Sequence, residues 1–184
     1  MEHIYSQPQF EEDWFTYSAF YTQMVNQFPS GSKFVEVGSW KGRSASYMCV
    51  EIANSGKNIE FYCVDHFLGS SEHQGGMGNL ENLYEKFIEN MTPVQDYYTL
   101  LKMSSVDAAA TFDDASLDFV FIDAAHEYEN VKNDIEAWLP KVKSGGILAG
   151  HDYHHPPIQQ AITDSNLEGF TNDPSVDCWL YQVP

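Results

Sequence analysis

Short apolar runs alternate with helical stripes along most of the chain, and the alternation sets the expected fold. Residues 11 to 28 carry Trp14, Tyr17, Tyr21, Met24, Val25 and Phe28 at helical spacing and stop at Pro29-Ser-Gly, so this stretch predicts an amphipathic helix. Phe34 to Val37 is a short apolar run around Glu36 and reads as a buried parallel strand. Gly38 and Gly42 frame a turn, and Ser44 opens a helix with Ala45, Met48, Cys49 and Ile52 on one side. Ile59 to Val64 reads as a second strand, closed by Asp65. Residues 66 to 79 are glycine-rich and without period, the pattern of a lid over a substrate.

Leu80 to Met91 returns to helical spacing, and Tyr97 to Leu101 reads as a third strand. A small helix follows Ser104 and Ser105. Leu117 to Ile122 is a strand that delivers Asp123. The next helix buries Tyr128, Val131, Ile135, Trp138 and Leu139, with Lys141 and Lys143 placed to complement its C-terminus. Ser144-Gly-Gly146 reads as a turn into a fifth strand, Ile147 to Gly150, which delivers His151 and Asp152. Pro156-Pro157 starts a further helix, and 168–171 with 177–183 read as an antiparallel hairpin around Asn172-Asp-Pro174. The expected architecture is α/β: a Rossmann-like, seven-stranded, mostly parallel sheet with a C-terminal antiparallel hairpin and helices on both faces. The 184 residues suit one domain, 1–184, with no repeat or linker.

A strand passing through a glycine turn into a helix N-terminus is a cofactor cradle, because backbone can approach a ligand closely and free N–H groups face it. The spacing here is E-x-G-x-x-x-G-x-S, with Glu36 where a dinucleotide fingerprint has its first glycine. A carboxylate at that place is a poor host for pyrophosphate and a good one for a cation. The segment resembles the class I S-adenosylmethionine-dependent methyltransferases, in which this loop surrounds the positively charged methionine part of the cofactor. The cofactor-binding positions on this reading are Glu36, Gly38, Lys41, Gly42, Arg43 and Ser44, with Asp65 at the ribose, Ser104 and Ser105 at the adenine, and Asp123. The competing class is a nicotinamide-dependent oxidoreductase, disfavoured by the missing glycine and the hairpin ending. A silent cofactor-binding domain is a third.

D-x-x-H-x-Y at Asp123, His126 and Tyr128, followed by G-G-I-L-x-G-H-D at 145–152, resembles the small-molecule O-methyltransferases that include macrolide-sugar and cephalosporin-pathway enzymes. The resemblance implies a divalent metal, Mg²⁺ or Mn²⁺, on Asp123 and Asp152, with His151 in a slot that is often acidic. It implies methyl transfer to a hydroxyl of a small molecule such as a sugar or polyol, with His126 or His151 as base. His151, His154 and His155 could instead suggest zinc, but no C-x-x-C or H-x-x-x-H accompanies them.

Composition narrows the partners. The net charge of −18, with only nine Lys and Arg, disfavours nucleic acid and anionic membrane surfaces. Apolar residues at 43% indicate a globular chain, and no run reaches the length of a membrane span. Cys49, Cys63 and Cys178 lack metal or redox spacing and, with no signal-like N-terminus, point to a reducing cytoplasmic setting. A domain this small could borrow walls from a second copy, so a homo-oligomer is expected.

Overall fold

The computed structural model describes all residues except 72–75 and 77, so much of the expected 66–79 lid lies outside the described residues. Seven strands are described: β1 Lys33–Val37, β2 Glu60–Val64, β3 Thr99–Leu101, β4 Leu117–Ile122, β5 Val142–Gly150, β6 Thr171–Asp173 and β7 Cys178–Gln182. They form one sheet in the order β3-β2-β1-β4-β5-β7-β6. β1 to β5 run parallel, and β7 and β6 close the edge antiparallel. The described helices are α1 Ser18–Gln27, α2 Arg43–Ser55, α3 Leu83–Met91, α4 Ser105–Ala109, α5 Tyr128–Trp138 and α6 Pro156–Asp164. None is long and apolar enough to cross a membrane.

Strand alternation builds two cores. Phe34, Phe119 and Phe121 point to the side of α1, α2 and α3, where Tyr21, Met24, Met48 and Phe87 complete an aromatic-rich layer. Val35, Val37, Val120 and Leu148 point the other way, against Ile135 and Trp138 of α5 and Ile158 of α6. All three cysteines are buried free thiols.

The register then positions the chemistry. Val37 pairs with Val64 and with Ile122, and Ile122 pairs with Gly150, so the strands end level with one another. The next residues, Gly38, Asp65, Asp123 and His151, therefore stand in one row at the carboxyl edge. Backbone bonds continue the ladder through them: Gly38 N–H to Val64 O at 2.9 Å, Asp123 N–H to Val37 O at 2.8 Å, and His151 N–H to Ile122 O at 3.1 Å. Chain order reverses at β1, which has β2 on one side and β4 on the other; a crevice at such a switch point is where open α/β sheets bind ligands.

Several boundaries differ from the pattern-based expectation. The N-terminal helix occupies only Ser18–Gln27, because residues 11–17 make tertiary contacts that a helix could not. Ser144-Gly-Gly146 lies inside β5 and not in a turn: Gly145 N–H donates to Val183 O, and Val183 N–H donates to Gly146 O. Asn172 and Asp173 are paired strand residues, so the hairpin turns after them, where Asp173 Oδ1 accepts from Ser175. Lys141 and Lys143 bind carboxylates, Asp114 at 2.6 Å and Asp118 at 2.9 Å, rather than a helix end.

Candidate active site

A cavity of about 920 Å³ opens along the carboxyl edge of the sheet, within the size range of ligand pockets. Its first half is the turn between β1 and α2. Gly38 has φ +93°, and a Cβ there would meet Asp123 O at 2.0 Å, so only glycine lets the turn pass the end of β4. Gly42, the N-cap of α2 at φ +87°, has no side chain to satisfy the first N–H groups of the helix. Arg43 and Ser44, the first residues of that helix, line the cavity, and a helix start of this kind suits a carboxylate.

Behind the turn, Glu36 is 1% exposed. Its Oε2 accepts from Tyr21 OH at 2.7 Å, whereas Oε1 has no hydrogen-bond partner among the described residues. Burial raises its pKa to about 7, and nearby hydroxyls, Tyr21 first, draw it only partly back. A buried, partner-poor carboxylate beside a helix N-terminus fits a ligand that carries both ammonium and carboxylate, as the methionine part of S-adenosylmethionine does. Asp65 also lines the cavity; its Oδ2 accepts from Trp40 N–H at 2.8 Å and its Oδ1 from Phe67 N–H at 2.6 Å. Ser104 and Ser105 line the far end, where Ser104 also caps α4 by accepting from Asp107 N–H.

Lys41 has a different place from that expected of it. It is 0% exposed and does not line the cavity. Its Nζ is enclosed by Glu11 Oε2 at 2.6 Å and both oxygens of Glu12 at 2.6 and 2.7 Å. Lys86 also holds Glu11, and the lysine bonds keep that carboxyl at about 2. Arg43, which does line the cavity, pairs with Asp13 at 3.2 Å. These ion pairs strap residues 11–13 over the cofactor turn, which is why the predicted helix starts late. Glu36 and Gly42 stand behind the cavity wall rather than in it.

The second half is the rim formed by Asp123, His151 and Asp152. His151 Nδ1 lies 3.6 Å from Asp123 Oδ1 and 3.2 Å from Asp152 Oδ2. Asp152 takes φ 57°, a left-handed conformation that turns its side chain back toward this rim. Its Oδ2 also meets His126 Nε2 at 2.9 Å. Burial opposes the charged form of His151, 8% exposed, but its bonds to Asp123 and Asp152 prevail and lift it to about 10. Burial likewise opposes ionised Asp152, and the two imidazoles overcome it, holding that carboxyl far below its usual value.

The strap reaches this rim too. Tyr17 OH donates to Asp123 Oδ2 at 2.6 Å, and Thr16 Oγ1 shares a hydrogen bond with His151 Nε2 at 3.0 Å. Neither residue stood out in the sequence, where Tyr17 belonged to an apparent aromatic stripe. His155 stacks on His126 at 5.0 Å between ring centroids, and His154 is paired with Asp177. Donor atoms of Asp123, His151 and Asp152 lie within 4.8 Å of one another, and so do those of Asp152, His154 and His155. The first set, two carboxylates and one imidazole, fits a divalent cation in its donor chemistry.

A mostly parallel seven-stranded sheet, an antiparallel closing hairpin and this glycine turn at the switch point define the class I S-adenosylmethionine-dependent methyltransferase fold. The chain belongs to a family described as a methyltransferase domain, whose pattern matches residues 35–153. Among solved structures it resembles the O-methyltransferase NovP, with TM-score 0.72 and 19% identity over 91% of this chain and 79% of that one. It also resembles a methyltransferase from Geobacter sulfurreducens, with TM-score 0.64 and 12% identity over 91% of this chain and 78% of that one. A curated relative is the uncharacterized protein y4gI of Sinorhizobium fredii (strain NBRC 101917 / NGR234), 29% identical over 120 residues. That match covers 65% of this chain but 13% of y4gI.

Proposed function

We propose that the chain transfers the methyl group of S-adenosylmethionine to a hydroxyl of a small, non-anionic acceptor such as a sugar or polyol, with a divalent metal at Asp123 and Asp152. The observation that carries this reading is the shared carboxyl edge, where a helix N-terminus with a buried Glu36 adjoins two carboxylates and two imidazoles. Likeness to an O-methyltransferase supports it.

The turn and α2 would hold the methionine carboxylate, Glu36 would offset its ammonium from behind the turn without touching it, and Asp65 would meet the ribose hydroxyls. The cofactor supplies a methyl on a sulfonium, open to in-line displacement. Asp123 and Asp152, with His151 as third donor, would hold Mg²⁺ or Mn²⁺; such an ion lowers the pKa of a hydroxyl it binds. Asp152 engages His126 at Nε2, which favours the tautomer with its lone pair on Nδ1. His126 takes the hydroxyl proton at Nδ1 as the oxygen–carbon bond forms, the carbon–sulfur bond breaks, and its electron pair stays on sulfur. The products are the methyl ether, S-adenosylhomocysteine and a protonated imidazole.

Lining charge speaks to the acceptor. Among the described lining residues are eight carboxyl side chains and one guanidinium, and that guanidinium is paired with Asp13. A phosphorylated or carboxylated acceptor would meet repulsion here; a neutral or amine-bearing one would not. Titration calorimetry with S-adenosylhomocysteine and then Mn²⁺, followed by mass spectrometry of neutral, amino and phosphorylated sugars incubated with S-adenosylmethionine, tests the reading. Binding of both ligands and methylation confined to non-anionic sugars is expected. Absence of S-adenosylhomocysteine binding, or methylation of the phosphorylated set alone, would overturn it.

A further inference from the structure

One buried titratable group in the cavity has no part in the chemistry above. Asp134 lies on α5, is 6% exposed, and lines the end of the cavity shared with Met103, Ser104, Ser105 and Asn130. It is far from a natural place for a carboxylate. Aspartate is a weak helix former, and burial of a charged oxygen costs free energy unless donors satisfy it. Among the described residues the polar side chain that acts on it is Ser105, whose own oxygen already accepts from Trp138 Nε1 at 2.9 Å. A carboxylate offers about four acceptor positions, so one hydroxyl leaves most of them unused. Burial accordingly raises its pKa to about 6, with Ser105 opposing. At the other end of the same cavity every rim carboxylate has an imidazole or a tyrosine against it. Asp134 waits for a donor from the cavity side.

We propose that Asp134 reads the purine of the cofactor, accepting a hydrogen bond from its exocyclic amine and excluding a 6-oxo purine in the same position. This rests on the reading above, in which adenine lies beside Ser104 and Ser105. The amine is the one donor on adenine's six-membered edge, whereas a 6-oxo purine sets oxygen against the carboxylate at that place and has its donor one atom away, at N1. Asp134 is thus a specificity residue that is remote from the transferred methyl group. A purely structural role, tying α4 to α5 through Ser105, makes no distinction between the two purines.

The test compares S-adenosylhomocysteine with S-inosylhomocysteine by titration calorimetry at pH 8, where the carboxylate is ionised, on the wild-type chain and on Asp134→Asn and Asp134→Ala. Wild type should prefer the adenosyl ligand by roughly ten- to a hundredfold, the range for a hydrogen bond to a charged group. Asp134→Asn should cut that preference to about threefold or less, since an amide can turn either its oxygen or its nitrogen to the ligand. Asp134→Ala checks the same loss without a new donor, and circular dichroism confirms that both variants are folded. An unchanged preference in folded variants that still bind S-adenosylhomocysteine overturns the proposal alone. Failure of wild type to bind S-adenosylhomocysteine overturns it together with the reading beneath it.

Discussion

The two halves of the cavity are built by different means. The cofactor half is backbone: two glycines at positive φ, an uncapped helix start, and one buried carboxylate. The reactive half is side chain: Asp123, Asp152, His126 and His151, linked to one another and to Thr16 and Tyr17. The first presents donors fixed by secondary structure and is poor in partners. The second is rich in partners, and each of its charges depends on another. A substitution in the cofactor half should therefore act locally, whereas one in the reactive half should propagate.

The largest effect should follow Asp152→Asn, which leaves His126 and His151 without their shared carboxylate and removes a proposed ligand. Electron paramagnetic resonance should show Mn²⁺ affinity falling about a thousandfold, about 4 kcal/mol, while S-adenosylhomocysteine affinity stays within about threefold. Equal losses of both ligands would erase the distinction between the halves. Next is Lys41→Met, which removes the buried cation shared by Glu11 and Glu12 and leaves Glu11 with Lys86 and Glu12 with Trp40 Nε1. A loss of about 3 kcal/mol in urea unfolding is expected, with faster proteolysis within residues 8–16. Unchanged stability would show that the strap does not depend on this lysine.

The pH dependence of the cofactor half has a definite sign. Glu36 titrates at about 7 in the fold against a usual 4.5, so the fold favours its neutral form. Its contribution is complete below 4.5 and is lost as pH rises through 7, which amounts to about 3 kcal/mol. Asp134, at about 6, and His151, at about 10, act in the same direction. Unfolding free energy of the ligand-free protein should thus be lower at pH 8 than at pH 5, and Glu36→Gln should remove about half of that decline. An identical decline in the variant would contradict the assignment. The smallest effect belongs to Tyr17→Phe, which deletes the 2.6 Å donor to Asp123. It should cost about 1.5 kcal/mol of stability and weaken Mn²⁺ binding less than Asp152→Asn does; an effect as large as that of Asp152→Asn would mean that Tyr17 does more than orient.

The cofactor half was the more legible in sequence for the same reason. A glycine turn between an apolar strand and a helical stripe is local, and the fold class followed from it and from the strand–helix alternation. Strand ends were legible at Asp65, Asp123 and His151 because each apolar run stops at a polar residue. Residues 11–17 were not. Trp14, Tyr17 and Tyr21 share a helical period, yet the first seven residues of that stretch are held out of the helix by Lys41 and by contacts with the rim. Such contacts join positions up to 135 residues apart, and no local period records them. Lys41 was misplaced by the converse error: position in a cofactor turn suggested a ligand contact, while its partners lie on the strap. Asp134 sat at a solvent-like position between Asn133 and Ile135, and only the packing of α5 on α4 reveals its burial.

The most direct measurement is thermal unfolding with S-adenosylhomocysteine, and separately with NAD⁺, each in Mg²⁺ and in EDTA. Ligand at about a hundred times its dissociation constant should add roughly 2.7 kcal/mol, some 5–10 °C for a chain of this size. That shift is expected with S-adenosylhomocysteine in EDTA, with a further rise in Mg²⁺ and none with NAD⁺. A shift with NAD⁺ alone, or none with S-adenosylhomocysteine, would contradict that expectation.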